Sequence, residues 1–393
     1  MKILRATDRL ISNILNRMAR FSARHSRPRW TGLVLQYSTK LEARKLNRQG
    51  RSRQVVNSRR DSETWSVWFP RKAGGGEDML ALQEVSSRAF ALHPVRRQLV
   101  KSVTQSLYGS VGRELSEATM LKIAQEYPSE HERAIEHWSQ TVDSLKRTMG
   151  IHALVSANWK YWAERSMHRG AQRVGVVSLA MHKECFATPL RYKEMVSDAE
   201  TYGASDCEFV ATYNNYAKAA LVEGSIVAED KCFVVGAPRF DALHSLRRER
   251  FWLRRKSDVR RVVFFSSSPR AGLALDASAG YETASGTVIH DWKPEIGEML
   301  HVAENLARSR SDIEVVIKVK IGRDSEEPVR VWEDSRSQPL NLRVEYGGLA
   351  TDSLLEADAA IGLNTTALLE VASQLWCKCG ERGFLIVHLT RQV

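Results

Sequence analysis

From about residue 150 onward the chain alternates short apolar runs with helical stretches, and that alternation constrains its fold more than any other feature. Residues 151–156, 174–181, 208–213 and 232–236 read as strands, with helices over 161–172 and 215–223 between them. A charged stretch, 246–261, interrupts the series. The pattern then resumes: strands at 262–266, 313–318, 342–346 and 359–362, helices at 294–309 and 350–357, and a helix from Ala367. Short apolar strands separated by helices mean βαβ units and a parallel sheet. Two such series predict an α/β protein with two open parallel-sheet domains in tandem and a cleft between them, where ligands meet the carboxyl ends of strands.

The N-terminal part reads differently. Apolar residues Leu4, Ile11, Ile14, Leu15, Met18 and Phe21 recur at helical spacing, with arginines off or beside the stripe. A basic amphipathic helix over 3–21 follows. It suits an anionic membrane surface; equally, it suits docking on the rest of the protein. Residues 43–60 read as solvated. Arg71-Lys-Ala-Gly-Gly-Gly-Glu-Asp78 reads as a linker, and 78–150 as mostly helical, with Leu80 to Leu92 in one helix. The expected divisions are 1–77 (basic N-terminal segment and linker), 78–245 (helical, then α/β), 246–261 (charged connection) and 262–393 (second α/β domain).

Charge locates the basic character. The whole chain of 393 residues carries +12, yet residues 1–60 hold 16 Lys and Arg against two acids. The remainder is therefore near neutral, which argues against a nucleic-acid-binding body. No apolar run reaches the ~18 residues of a membrane-spanning helix. The start lacks the compact apolar region and small-residue cleavage site of a secretory signal. Five scattered cysteines suggest reduced thiols in the cytoplasm. Cys377, Cys379 and His388 are too closely spaced for a structural zinc set, so no metal site is expected.

Four polar clusters fall at predicted strand ends. His182-Lys183-Glu184 could supply a general base and an anion contact, or form a polar turn. In Gly236-Ala-Pro-Arg-Phe-Asp241, Arg239 could hold a phosphate or carboxylate, or brace a domain junction with Asp241. Lys318 and Lys320 share a strand face and suit a diphosphate, or a solvated strand end. In Gly362-Leu-Asn-Thr-Thr-Ala-Leu-Leu-Glu370 a strand ends, Asn364, Thr365 and Thr366 form a turn, and a helix begins. Free N–H groups there favour phosphate, and Glu370 could meet sugar hydroxyls; the plain alternative is a capped helix start.

Ser156-Ala-Asn-Trp-Lys-Tyr-Trp-Ala-Glu-Arg165, His182-Lys-Glu-Cys185, Gly236-Ala-Pro-Arg-Phe-Asp241, Ile317-Lys-Val-Lys320 and Gly362–Glu370, in this order, resemble bacterial surface-carbohydrate biosynthesis proteins. These are similar to GT-B glycosyltransferases, UDP-N-acetylglucosamine 2-epimerases and polyol-phosphate transferases. The resemblance spans roughly 145–372 and implies a GT-B-like fold of two Rossmann-like domains facing a cleft, 78–245 on the acceptor side and 262–393 binding the nucleotide. It implies a nucleotide-activated sugar as donor substrate with no cofactor, held by the C-terminal domain: Asn364, Thr365 and Thr366 near the diphosphate, Glu370 at the ribose, Lys318 or Lys320 offsetting charge. It implies His182 or Glu184 as base, Lys183, Arg239 and Asp241 along the cleft, and a glycan or lipid-linked acceptor. The implied location is cytoplasmic, peripheral at the inner membrane through residues 3–21. Two departures stand out. Residues 1–80 show no opening strand with a glycine-bearing loop, and the tail after Ala372 reads as a truncated C-terminal domain. A non-catalytic membrane-surface scaffold is the alternative outside enzymes.

Overall fold

The computed structural model describes residues 2–48, 64–71, 75–85, 90–182, 189–238, 240, 260–267, 281–283, 286–288, 293–320, 323–335, 337–347, 350–355, 357–362 and 386–388. Its contacts divide the chain into two units, Met1–Asp241 and Ala242–Val393.

The first unit opens with two helices, α1 (Lys2–Arg24) and α2 (Pro28–Arg48), joined by a tight turn. Then come β1 (Trp65–Arg71), α3 (Gly75–Val85), β2 (Phe90–Arg96), α4 (Arg97–Leu107), α5 (Met120–Glu126) and α6 (Pro128–Met149). The series β3 (Ala153–Ser156), α7 (Trp162–Arg173), β4 (Val177–Met181), α8 (Pro189–Tyr202), β5 (Phe209–Thr212), α9 (Asn215–Glu223) and β6 (Cys232–Val234) completes it. The six strands form a sheet in the order β2-β1-β3-β4-β5-β6, and every pairing is parallel.

Local chemistry explains several boundaries. α6 starts with Pro128 at its first turn, where a missing N–H costs nothing. It stops at Gly150, whose φ of 66° is left-handed. α9 is capped by Asn214, whose side-chain oxygen accepts from the Ala217 N–H at 2.8 Å. Alternation along β1 sends Trp68 to one face and Val67 and Phe69 to the other. The Trp68 face carries the main core, with Leu99, Val103, Trp138, Leu145, Leu154 and Trp162 all buried.

The structure corrects the sequence reading in this half. An opening strand is present: β1 lies directly before the glycine run, and α3 begins within that run, at Gly75. Phe90 and Leu92 belong to strand β2, not to the helix that carries Leu80 and Leu82. Prolines masked both strands. Pro70 in β1 and Pro94 in β2 cannot donate to a ladder. β2 is an edge strand, and β1 pairs with β3 only at Val67 and Trp68, short of Pro70. Helix α2 runs to Arg48 and buries Ala43, where a solvated stretch was expected from residue 43. The N-terminal segment is also part of the core: Leu15, Ala19 and Ala23 of α1 and Val34 and Leu35 of α2 are buried in it.

The second unit contains β7 (Arg260–Phe265), a small antiparallel pair β8 (Tyr281–Thr283) and β9 (Gly286–Val288), α10 (Lys293–Ser309), β10 (Ile313–Val319) and α11 (Arg323–Asp334). β11 (Leu342–Tyr346), α12 (Ala350–Leu355), β12 (Ala359–Gly362) and β13 (Ile386–His388) follow. Its main sheet has the order β11-β10-β7-β12-β13, again all parallel. One face packs Ile296, Met299, Leu300 and Ala303 of α10 over Phe264, Val315 and Ile317. The other packs Leu354 over Val263, Phe265, Val316 and Ala360. The chain is thus an α/β protein with two parallel sheets. Among the described residues no helix is long and apolar enough to cross a membrane.

Candidate functional site

Open parallel sheets bind ligands outside the carboxyl ends of strands, where the strand order reverses. Each unit has one such switch point.

In the first unit the order 2-1-3 puts it between β1 and β3. A small pocket lies there, lined by Phe69, Pro70, Met79, Val155, Ser156, Ala157 and Met181. Buried polar groups adjoin its lining. Asp78, next to Met79, is fully buried and accepts a 2.6 Å hydrogen bond from the Tyr213 hydroxyl. His182, next to Met181, is buried, and its N–H donates to the Ala211 carbonyl at 2.8 Å. Its ring meets Trp159 edge-on at 6.5 Å. The Ser156 hydroxyl donates to the Asn158 carbonyl at 3.2 Å, and the Asn158 side chain accepts from the Lys160 N–H at 3.0 Å. Lys160 pairs with Asp198 and lies 4.7 Å from the Tyr202 ring centroid. Trp159 is buried, and its indole N–H has no partner among the described residues.

The polar groups Asp78, Asn158 and Tyr213 were not singled out from sequence. A strand, a glycine run and an acidic first turn, Gly75-Gly-Glu-Asp78, would have pointed to Asp78 once β1 was recognised. Lys183, Glu184, Arg239 and Asp241 lie outside the described residues.

In the second unit the strand order puts the switch point between β7 and β12. Register aligns the strand ends: Lys318 pairs with Phe265, and Gly362 pairs with Phe265 from the other side. Ser266 and Ser267, just beyond Phe265, therefore lie between the ends of β10 and β12. Both are buried. The Ser266 hydroxyl accepts from the Lys320 N–H at 3.1 Å. The Ser267 hydroxyl is fully buried and, among the described residues, has no hydrogen-bond partner. Neither serine was singled out from sequence, because a Ser-Ser pair after a strand carries no motif.

The two lysines differ in burial. Lys318 is buried, and its ammonium lies 3.4 Å from Glu345 Oε2. Lys320 is exposed, beyond the end of β10. Burial raises the Glu345 carboxyl, but the Ser353 hydroxyl, Lys318 and Arg343 outweigh it and hold the carboxyl below its ordinary range. Asn364, Thr365, Thr366 and Glu370 lie outside the described residues, as do Cys377 and Cys379. Among the described residues, no group of three or more His, Cys, Asp and Glu side chains is arranged to hold a metal.

No protein-family model and no curated protein sequence matches the chain. Solved structures do. A UDP-GlcNAc 2-epimerase from Neisseria meningitidis, bound to UDP-GlcNAc, is 11% identical, with 78% of each chain covered and a TM-score of 0.42. A UDP-N-acetylglucosamine 2-epimerase described for Listeria monocytogenes is 10% identical over 84% of this chain and 80% of that one, with a TM-score of 0.44. The glycotransferase of kitacinnamycin is 10% identical over 84% of this chain and 81% of that one, with a TM-score of 0.33. The solved structures this chain is similar to thus include UDP-GlcNAc 2-epimerases and a glycotransferase.

Proposed function

We propose that the chain is a nucleotide-sugar-dependent, glycosyltransferase-like protein of bacterial surface-carbohydrate synthesis, with the donor diphosphate at the switch point of the second unit. The stranded Ser267 hydroxyl supports this most directly. A fully buried hydroxyl without a partner is costly, and this one sits at the carboxyl end of the central strand. A phosphate oxygen would supply the missing acceptor. Lys320 would add positive charge, and the turn Asn364-Thr365-Thr366 would offer N–H groups at the following helix start. Glu370 would accept from the ribose hydroxyls. When the sugar–phosphate bond breaks, the departing nucleoside diphosphate takes up charge, and preset donors would stabilise it there.

In the same reading the first unit serves the acceptor, a glycan or lipid-linked saccharide at the cytoplasmic leaflet. His182 or Glu184 would take the proton of the attacking hydroxyl. Lys183, Arg239 and Asp241 would hold acceptor or phosphate groups. A second reading, nucleotide-sugar 2-epimerase, draws on Asp78 and His182. Each is the chain neighbour of a methionine lining the β1/β3 pocket, and epimerisation needs two acid–base groups.

A thermal-shift series with UDP, GDP, CDP, dTDP and CMP tests the reading. A ligand at ~100 times its dissociation constant adds about 2.7 kcal/mol. Stabilisation by one nucleotide, lost in Ser267→Ala or Glu370→Ala, is the expected result. Absence of any shift in a folded protein would overturn it. Conversion of a UDP-sugar to its 2-epimer without an acceptor would select the second reading.

A further inference from the structure

The helices α1 and α2 are fastened to each other and to the first unit along their inner sides. The Ser22 and Thr31 hydroxyls lie 2.8 Å apart, joining the two helices. Thr31 Oγ1 is 3.0 Å from His137 Nε2 on α6, and the Trp68 indole N–H donates to Thr39 Oγ1 at 3.3 Å. Leu15, Ala19 and Ala23 face the core. These contacts use the inner sides of the hairpin and leave its outer side bare.

That outer side is apolar. Ile14, Met18 and Phe21 recur at i, i+4 and i+7 on α1; Trp30, Leu33 and Tyr37 recur at i, i+3 and i+7 on α2. All six are at least 43% exposed. The apolar stripe of the sequence is therefore split: part of it is core and the rest is exposed, and α2 carries an exposed stripe of its own.

The charge around this face has one sign. Residues 2–48 contain 12 Lys and Arg but only Asp8 and Glu42 as acids. Glu42 is turned inward, buried, and paired with Arg71 at 2.9 Å and Arg96 at 2.6 Å. Arg17, Arg20, Arg24, Arg27 and Arg29 are exposed and form no ion pair among the described residues. The Arg27 guanidinium lies 5.9 Å from the Phe21 ring centroid.

We propose that the outer face of the α1–α2 hairpin seats the protein on an anionic lipid surface. Its apolar residues would enter the acyl boundary, Trp30 and Tyr37 would lie at headgroup level, and the arginines would meet lipid phosphates. A second copy of the chain fits less well, because face-to-face pairing would bring the same arginines together. The inference is independent of nucleotide binding, since none of these residues belongs to either switch point.

The test is flotation of the full-length protein with phosphatidylglycerol-containing vesicles and with pure phosphatidylcholine vesicles. The expected result is binding to the anionic vesicles alone, weakened by added salt. It should fall at least ten-fold in Leu33→Asp/Tyr37→Asp, with an unchanged melting temperature. A native protein that ignores anionic vesicles, or a variant that still binds them, would overturn the proposal. So would a native dimer that becomes monomeric in the variant without any lipid binding. Should the variant fail to fold, quenching by brominated lipid decides: it should reach native tryptophan fluorescence and diminish in Trp30→Phe. Equal quenching of both proteins would overturn the assignment.

Discussion

The ammonium of Lys318 lies 3.4 Å from Glu345 Oε2, and Glu345 in turn accepts from the Ser353 hydroxyl at 2.7 Å. Lys318 is thus spent on joining β10, β11 and α12. Lys318→Met should lower stability by about 1 kcal/mol, because Glu345 keeps Arg343 and Ser353 as partners. Its nucleotide affinity should stay unchanged. Lys320→Ala should do the reverse, weakening the stabilising nucleotide about ten-fold with little change in melting temperature. Calorimetric titration of both variants checks the contrast; an affinity loss in Lys318→Met alone would reverse the assignment.

Arg165 and Asp206 form a buried ion pair that ties α7 to the turn before β5. Arg165 also donates to the Tyr202 carbonyl and, at 2.9 Å, to the Ala204 carbonyl. Arg169 holds the second Asp206 oxygen at 2.5 Å. Burial raises the Asp206 carboxyl, but the two guanidinium groups outweigh it and leave it below its ordinary value. Removing one partner strands the other, so Asp206→Asn should cost roughly 3–5 kcal/mol in urea unfolding. A loss under 1 kcal/mol would show that the arginines find water instead.

Much of this fold was legible because buried parallel strands are short apolar runs. Val263, Phe264 and Phe265, or Val315, Val316 and Ile317, can be little else. The strands at 65–71 and 90–96 were not legible, because Pro70 and Pro94 break the local rule and only their place in the sheet permits them. The proposed site was readable where charge marked it, as at Lys320, and unreadable where it would rest on small polar groups. Ser267 and Asp78 gain meaning from burial, which no local pattern encodes. Lys318 and Lys320 share a strand face by alternation, but register with Glu345 ties Lys318 into the sheet, which alternation alone does not reveal.

At Gly170 the backbone of α7 runs tight against that of α6. A Cβ there would stand 2.6 Å from the Ser139 backbone nitrogen and 2.9 Å from the Trp138 carbonyl carbon. Helix backbone cannot yield as a flexible side chain can. Gly170→Ala should therefore destabilise the first unit by about 1–3 kcal/mol, despite the better helix propensity of alanine. Thermal melts should register the loss; a stabilised variant would mean the helices separate more easily than this packing implies.

Three buried histidines set the acid limit of the first unit. Burial lowers His93, His137 and His168 to about 4 each. Among the described residues, His93 and His168 have no hydrogen-bond partner on either ring nitrogen. Each is neutral when folded and takes up a proton near 6.5 when unfolded, so the unfolded chain binds more protons between those values. The stability is fully present above pH 6.5 and is lost as pH falls toward 4, by roughly 3 kcal/mol per histidine. Urea midpoints measured from pH 7.5 to 4.5 should fall steeply. His168→Leu should flatten that slope and gain on the native protein at pH 5, since it removes a buried group that acid must charge. An identical slope in the variant would mean that His168 is already protonated in the folded state.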